Sequence, residues 1–241
     1  MQNISVKGNL LSIQIGMPRT IGHSNATDPM DQPWTTGFFK TPVYGQIRVG
    51  HVNLEGDGQA DLTNHGGSEK AINAYPFEHY RYWQETIGLQ DLQAGAFGEN
   101  FTVTGVLESD VCIGDIFEIG DTRLQISQPR QPCWKLARRW RVKDFALRVQ
   151  DTGRTGWYFR VLQEGMVEAG SKLTITERPY PQWTIALAND VMHQRIFDMG
   201  AARSLMECHL LSVRWKETLA KRLATGKASN NSARLYGPGS L

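Results

Sequence analysis

The sequence contains no apolar run of about 18 residues, so it predicts no membrane-spanning helix. Its first seven residues also lack the basic and then apolar pattern of a secretion signal. Cysteine is scarce: Cys112, Cys133 and Cys208 are widely separated and odd in number, which argues against a disulfide framework. Together these absences predict a cytoplasmic protein in a reducing compartment, with no membrane as a partner.

Other absences limit the chemistry that the chain can support by itself. No two cysteines are spaced as Cys-x-x-Cys, so the sequence encodes neither a zinc ribbon nor a cysteine-ligated iron–sulfur cluster. No flavin or nicotinamide fingerprint is present either. The net charge of +2 is too small to suggest a nucleic-acid binder, so nucleic acid is not expected as a partner.

The sequence does contain a series of short strand-like segments. They alternate between polar and apolar residues or are continuously apolar, and turn residues separate them. The segments are 10–15, 44–54, 71–75, 113–124, 157–162 and 172–177. Strands at this spacing, with few helices between them, predict a mainly β domain that is a barrel or a sandwich. Pro76 predicts the start of one helix, over 77–85, in which His79 is expected to be solvated.

The composition changes after the stiff linker at 178–181, which holds two prolines. From Trp183 onward the strand signals disappear, and three short helical stretches follow, the last after a possible cap at Ser212. We therefore predict a β-barrel domain at 1–178 and a small three-helix domain at 179–228, too small to be very stable unless docked on the barrel. The polar, glycine-bearing residues 229–241 are predicted to be a disordered tail.

Cys133 occupies a stiff turn within residues 128–135, which a strand-like run at 122–127 precedes. Two prolines restrict the backbone there. Arg130 and Lys135 are close in sequence, and nearby positive charge or a helix N-terminus lowers a thiol's pKa. The resulting thiolate is the form that binds metal or attacks an electrophile. A buried, inert cysteine is the alternative.

A second candidate segment is His65-Gly66-Gly67, followed by Lys70. Paired glycines let a ligand approach backbone N–H groups closely. A histidine before such a pair can be a proton donor, a metal ligand or a phosphate contact. The alternative is an ordinary turn in which the histidine caps backbone groups.

Three other segments offer comparable groups. Residues 98–100 combine a glycine, an acid and an amide that could hold a heterocycle, or they form an ordinary turn into a strand. Residues 152–156 form a second glycine-rich, basic loop. In 34–42, Thr36 and Lys40 could contact an anion, although a loop that only packs its Phe pair fits equally well.

The order of these motifs is more specific than any one of them. The motifs are LEGDGQAD at 54–61, His65-Gly66-Gly67 with Lys70, YPFEHY at 75–80 with Trp83, FGEN at 97–100, Gly114-Asp115, and QPR at 128–130 with Pro132-Cys133. Over about residues 8–227 the sequence resembles the MOSC family, named after the C-terminal domain of molybdenum cofactor sulfurase. It is most similar to the YiiM branch, in which a small three-helix domain follows the barrel.

The resemblance implies a function and a cofactor. It implies a barrel-like domain that binds the molybdenum cofactor, Mo-molybdopterin, with Cys133 as the thiolate ligand to the metal. It implies reduction of N-hydroxylated compounds, such as hydroxylaminopurines, hydroxylamines and amidoximes, to amines, and the YiiM branch is linked to resistance to toxic base analogues. We expect His65 to be a second catalytic residue, as a proton donor. The expected cofactor-binding residues are Gly66, Gly67, Lys70, Gly98, Glu99, Asn100, Arg130, Arg154, Thr155 and Gly156.

Such a reaction needs two electrons, and we expect an external reductase to supply them, with the basic helical domain as a candidate docking surface. Three alternatives stay open. The protein could be an acyl or sulfur transferase with Cys133 as nucleophile and His65 as base. It could carry the molybdenum cofactor without catalysis, or bind nucleic acid through its helical tail.

Overall fold

The computed structural model describes residues 7–237 of the chain. The strands are β1 (Lys7–Ile15), β2 (Arg19–Ile21), β3 (Trp34–Thr36), β4 (Thr41–Val43), β5 (Ile47–Val49), β6 (Ile72–Pro76), β7 (Phe101–Thr104), β8 (Ile116–Ile119), β9 (Thr122–Pro129), β10 (Trp157–Gln163), β11 (Gly165–Val167) and β12 (Lys172–Glu177). The α-helices are α1 (Leu62–His65), α2 (Glu78–Ile87), α3 (Lys135–Trp140), α4 (Phe145–Thr152), α5 (Ile185–His193), α6 (Met199–Met206), α7 (Val213–Thr225) and α8 (Ser232–Tyr236).

Seven strands close into a barrel in the order β12, β8, β9, β10, β6, β7 and β1. The barrel closes where the first part of β1 pairs antiparallel with β12, Gly8 lying opposite Leu173. The β6–β7 pair is parallel and the other pairs in the barrel are antiparallel. The prediction of a mainly β, barrel-like domain is therefore confirmed.

Alternation of side chains explains how the barrel acquires its core. In β12 the side chains of Leu173 and Ile175 are buried and their neighbours are exposed, as the period of two requires. Phe117 of β8 and Phe159 of β10 are fully buried and meet edge to face, with ring centroids 5.5 Å apart. Each strand therefore contributes one face to a common interior.

The three helices after the linker are α5, α6 and α7, and each begins at a side-chain cap. The side chains of Thr184, Asp198 and Ser212 accept hydrogen bonds from backbone N–H groups in the first turns of their helices, as predicted for Ser212. The apolar faces of these helices belong to the same continuous core as the barrel strands, and Trp215 and Leu219 are buried in it. Packing against the barrel thus stabilises helices that form too small a unit to fold alone.

Two sequence-based expectations about local structure were wrong. The tail was expected to be disordered, but residues 232–236 form α8, which docks with Leu235 buried. His79 was expected to be solvated, but it is 7% exposed and lies 2.7 Å from the carboxylate of Glu108. In both cases the partner is remote in sequence, so local composition gave no sign of burial.

Some expectations concern residues at the two ends of the chain. Residues 1–6 and 238–241, which include most of the segment used to argue against a secretion signal and the end of the predicted tail, lie outside the described residues. Between residues 7 and 237, no helix combines the length and apolar character that crossing a membrane requires.

Candidate functional site

Three neighbouring strands, β9, β10 and β6, each contribute one polar residue to a row across the sheet. Gln128 of β9 lies opposite Tyr158 of β10, and Tyr158 lies opposite Asn73 of β6. The backbone N–H of Asn73 then donates to the side-chain oxygen of Asn100, which directly precedes β7. Ladder register and this hydrogen bond therefore build a polar row across the barrel wall, and Asn73, Asn100 and Tyr158 line the same cleft as Cys133.

Cys133 lies in the short loop between β9 and α3, and its side chain is only 6% exposed. Burial alone would raise the pKa of its thiol. Hydrogen bonding and charge from His65, the charge of Arg130 and the backbone N–H of Lys135 outweigh burial and lower the pKa to about 6. The thiolate is therefore the main form of Cys133 near neutral pH. Arg130 and the backbone N–H of Lys135 contribute from nearby in the sequence, whereas the larger contribution comes from His65, which is remote in sequence.

His65 reaches the thiol from the end of the one-turn helix α1. Asp61 caps this helix by accepting a hydrogen bond from the backbone N–H of Asn64 at 3.0 Å. The Asp61 carboxylate also lies 3.6 Å from Nδ1 of His65, at ion-pair rather than hydrogen-bond distance. A carboxylate, an imidazole and a thiol thus follow one another in space.

A cleft beside Cys133 is strongly basic. Lys40, Lys70, Arg130 and Lys135 line it, and none of the described residues that line it is an acid. Lys40 forms an ion pair with the buried carboxylate of Asp57. Burial lowers the pKa of Lys40, and this ion pair opposes the shift. The remaining cations make the cleft suitable for an anionic ligand.

Arg130 is the most deeply buried cation of the cleft, and one of its nitrogens has no hydrogen-bond partner among residues 7–237. It is 5% exposed, and its Nη2 donates to the carbonyl of Phe97 at 3.2 Å. Its Nη1 is buried without a hydrogen-bond partner among residues 7–237. A buried donor normally has a partner, so the free Nη1 marks a place where a ligand acceptor would be stabilised.

The cleft contains six of the residues expected at the site. They are His65, Lys70, Gly98, Asn100, Arg130 and Cys133. Thr36 and Lys40, for which an anion contact was one of two interpretations, also line it. Segments up to about 100 residues apart in sequence therefore meet at one thiol.

Three expected residues near the cleft do not line it. Gly66 and Gly67 connect α1 to the short 3-10 turn Ser68–Lys70. The side chain of Glu99 is fully buried and accepts hydrogen bonds from the backbone N–H groups of Gly95 and Phe97. The hydroxyl groups of Tyr80 and Thr102 also donate to it. Glu99 therefore shapes the loop that presents Gly98.

The expected basic loop at 154–156 does not reach the cleft. The Arg154 guanidinium stacks 3.8 Å from the ring centroid of Tyr82, and Thr155 accepts a hydrogen bond from Asn189 of α5. Gly156 has φ +68°, and a Cβ there would lie 2.2 Å from the carbonyl oxygen of Ala74, so only glycine fits. Close packing of β10 on β6 accounts for this glycine without a ligand.

The sequence did not identify several residues around Cys133. A second cavity adjoins the thiol, and its walls include Tyr158, Arg214 of α7 and Arg234 of α8. Arg214 and Arg234 follow Cys133 by roughly 80 and 100 residues. No local motif marks them, and only the docking of the C-terminal helices brings them to the site.

Comparison with known proteins agrees with this architecture. The MOSC domain model matches residues 61–174, and the model of the YiiM-like, 3-alpha helix domain matches residues 183–226. Protein YiiM of Escherichia coli (strain K12) is 38% identical over 200 residues, which cover 82% of this chain and 89% of YiiM. A protein of Gibberella moniliformis named "Reductase" is 37% identical over 177 residues, 72% of this chain and 31% of that longer protein.

The structural comparison extends over nearly the whole chain. The crystal structure of YiiM from Geobacillus stearothermophilus superposes with a TM-score of 0.75 and 39% sequence identity. The match covers 90% of this chain and 99% of that one. The chain therefore belongs to the MOSC-domain family, in the YiiM group whose barrel carries a C-terminal three-helix domain.

Proposed function

We propose that the protein is a molybdenum cofactor-dependent oxidoreductase that reduces N-hydroxylated compounds to amines. The observation that carries the proposal is Cys133, a buried thiol with a pKa of about 6 at the edge of a basic cleft. Membership of the MOSC family and a relative named "Reductase" support the cofactor class and the reaction class.

The residues of the cleft fit such a cofactor. A thiolate is a suitable soft ligand for a redox metal. A phosphorylated pterin is anionic and rich in hydrogen-bonding groups, and the free Nη1 of Arg130 together with Lys70 and Lys135 offers cationic donors to it. Asn73 also lines the cleft, and its Oδ1, which accepts from no group within residues 7–237, offers an acceptor. Cys133 would hold the metal, and these side chains would hold the organic part.

When bound, the cofactor supplies the two-electron reduction that breaks the N–O bond. The chain itself supplies binding, orientation and protons. Cys133 is already ionised near neutral pH, so the metal does not have to displace a proton from it. His65, 30% exposed at its side chain, connects the thiol to solvent and can deliver a proton to the departing nitrogen. The cations of the cleft exclude competing cationic ligands.

We further propose that an external reductase supplies the electrons, because the three cysteines and the sequence motifs offer no second redox centre within the chain. The natural substrate then belongs to a small-molecule class whose N–OH group can approach Cys133. A role in detoxifying hydroxylated bases follows from that substrate class.

A second candidate function uses the same residues without a metal. Asp61, His65 and Cys133 follow one another in the order carboxylate, imidazole and thiol, which is the arrangement of a cysteine nucleophile with a histidine base. An acyl or sulfur transferase would need no molybdenum. This candidate predicts a thiol that turns over substrate in metal-free protein.

One assay compares the proposed reductase with the transferase and with a non-catalytic carrier of the cofactor. Protein purified from cells that synthesise the cofactor is given 6-hydroxylaminopurine and reduced viologen, and adenine is quantified by chromatography. We expect adenine from the wild type and from Cys112→Ala, the control for loss of a different buried cysteine, and none from folded Cys133→Ala. A wild type that holds the cofactor but forms no adenine would identify a carrier, and this proposal would be wrong.

A further inference from the structure

A second cavity, of about 330 Å³, adjoins the basic cleft, and His65, Lys70, Cys133 and Tyr158 line both spaces. It is bounded by the barrel strands at Gln128 and Tyr158, by α7 at Arg214 and by α8 at Ala233 and Arg234. Because Cys133 lines both spaces, the cleft and the cavity meet at the thiol. A volume of this size falls within the range of small-molecule sites.

Two residues that line the cavity have buried polar atoms that find no hydrogen-bond partner in the described part of the chain. Gln128 is 2% exposed, and its side-chain Nε2 donates to the carbonyl of Pro129 at 3.1 Å, while its Oε1 accepts from no residue in the described part of the chain. The Nε of Arg234 is likewise buried and unpaired within residues 7–237. Two residues that line the cavity thus hold one buried acceptor and one buried donor without partners, and buried groups of this kind are normally satisfied.

Helix α8 is fastened to the loop on both sides of Cys133. The backbone N–H of Trp134 donates to the carbonyl of Arg234 at 2.7 Å, and Nη1 of Arg234 donates to the carbonyl of Pro132. The other terminal nitrogen, Nη2, donates to the side chain of Gln150 on α4. Burial of Leu235 adds an apolar anchor. The wall that α8 provides is therefore fixed relative to the thiol.

The attachment continues one residue beyond the helix. Gly237 has φ +104°, and a Cβ at this position would stand 3.5 Å from the indole of Trp134. The chain just after α8 therefore runs beside the indole of the residue that follows Cys133. The helical-domain model ends at residue 226, so α8 lies beyond the part of the chain that this model matches.

We propose that this second cavity is the substrate site, and that it takes the flat, nitrogen-containing ring of an N-hydroxylated heterocycle, with Gln128 and Arg234 at the edge of the ring. This proposal rests on the proposed function, which assigns the basic cleft to the cofactor. A ring that carries an N–H beside a ring nitrogen can donate to Oε1 of Gln128 and accept from Nε of Arg234. Helix α8 is then part of the active site and selects substrates by the ring they carry.

The first test measures binding in metal-free protein, without catalysis. Cys133 is alkylated by iodoacetamide above about pH 8.5, the ordinary pKa of a thiol, so that ionisation does not limit the rate. We expect adenine to slow alkylation of the wild type and of Tyr236→Ala, an exposed residue of α8 outside the cavity. Ala233 is exposed and lines the cavity, so the larger side chain of Ala233→Trp should fill this space and abolish the protection.

Adenine that protects Ala233→Trp as well as the wild type, or protects neither, would overturn the proposal. Circular dichroism and the melting temperature establish that each variant is folded. Arg234→Lys keeps the charge but loses the Nε donor together with the paired hydrogen bonds to Pro132 and Gln150. If its melting temperature shows that α8 stays docked, it should weaken protection about tenfold even if the tryptophan variant fails to fold.

The second test uses cofactor-loaded enzyme and two substrates of different size. Hydroxylamine needs no ring pocket, whereas 6-hydroxylaminopurine does. We expect Ala233→Trp to lower the ratio of kcat/KM for the purine over that for hydroxylamine about tenfold, and Tyr236→Ala to preserve this ratio. An unchanged ratio in Ala233→Trp would overturn the cavity as substrate site. Failure of the wild type to reduce either substrate would instead overturn the proposed function.

Discussion

Arg214 of α7 donates from one terminal nitrogen to the carbonyl of Thr63 at 2.9 Å and to the side-chain oxygen of Asn64 at 2.8 Å. Both acceptors belong to α1, the single turn that ends at His65. A one-turn helix is not stable by itself, so contacts of this kind determine where its last residue lies. The three-helix domain therefore supports the site directly, in addition to being a candidate surface for a reductase.

Replacing Arg214 should impair the chemistry itself. In Arg214→Ala, α1 loses both hydrogen bonds and His65 is held less firmly beside Cys133, so we expect turnover with reduced viologen to fall about fivefold to tenfold. Arg203→Ala, which removes an exposed arginine from α6, is the matched control and should retain turnover. Equal turnover in the two variants would show that α7 does not position the site.

Alkylation of Cys133 should depend on pH with a midpoint near 6. In metal-free protein the rate with iodoacetamide should rise as pH increases through about 6 and then level off, because only the thiolate reacts. His65→Gln removes the imidazole whose hydrogen bond and electrostatic interaction lower the pKa of Cys133, so the midpoint should move upward by about one unit or more.

Cys112 provides an internal control for the same experiment. Burial, followed by the negative charge of Asp115, raises the pKa of its thiol to about 11. Peptide mass spectrometry should therefore find Cys112 unmodified at pH values where Cys133 has reacted completely. A midpoint for Cys133 near the ordinary value for a thiol would contradict the account of its ionisation.

Glu99 should contribute mainly to stability. Glu99→Ala leaves the buried donors of Tyr80, Gly95, Phe97 and Thr102 without their shared acceptor, so we expect the free energy of unfolding to fall by about 2–4 kcal/mol. Denaturation in urea measures the change. Glu85→Ala, which breaks an exposed pair with Arg81, should change the free energy of unfolding by less than about 1 kcal/mol. A stable Glu99→Ala that binds less cofactor would favour a direct ligand role instead.

The barrel could be predicted from sequence because each strand carries a local pattern, either alternating or almost continuously buried. Residues 172–177 were identified from the pattern that buries Leu173 and Ile175. Closure could not be predicted in this way, because β1 and β12 lie at opposite ends of the barrel sequence and pair through a register that depends on all the strands between them.

The site was predictable only in part. Cys133 and Arg130 stand out locally, since two prolines and neighbouring charges mark the loop, and the resemblance joined them to His65. Arg214 and Arg234 have no such local signal, because they reach the thiol only after the C-terminal helices dock. The loop at 154–156 has the composition of an anion-binding loop, but its Gly156 N–H donates to the buried carboxylate of Glu108 at 2.7 Å instead.

The most direct test of the central claim is the molybdenum and pterin content of protein purified from cells that synthesise the cofactor in excess. Metal analysis and pterin fluorescence should find both in stoichiometric amounts in the wild type and in Cys112→Ala, and molybdenum largely lost from folded Cys133→Ala. Wild-type protein that contains neither molybdenum nor pterin, or a Cys133→Ala variant that retains its molybdenum in full, would contradict the account.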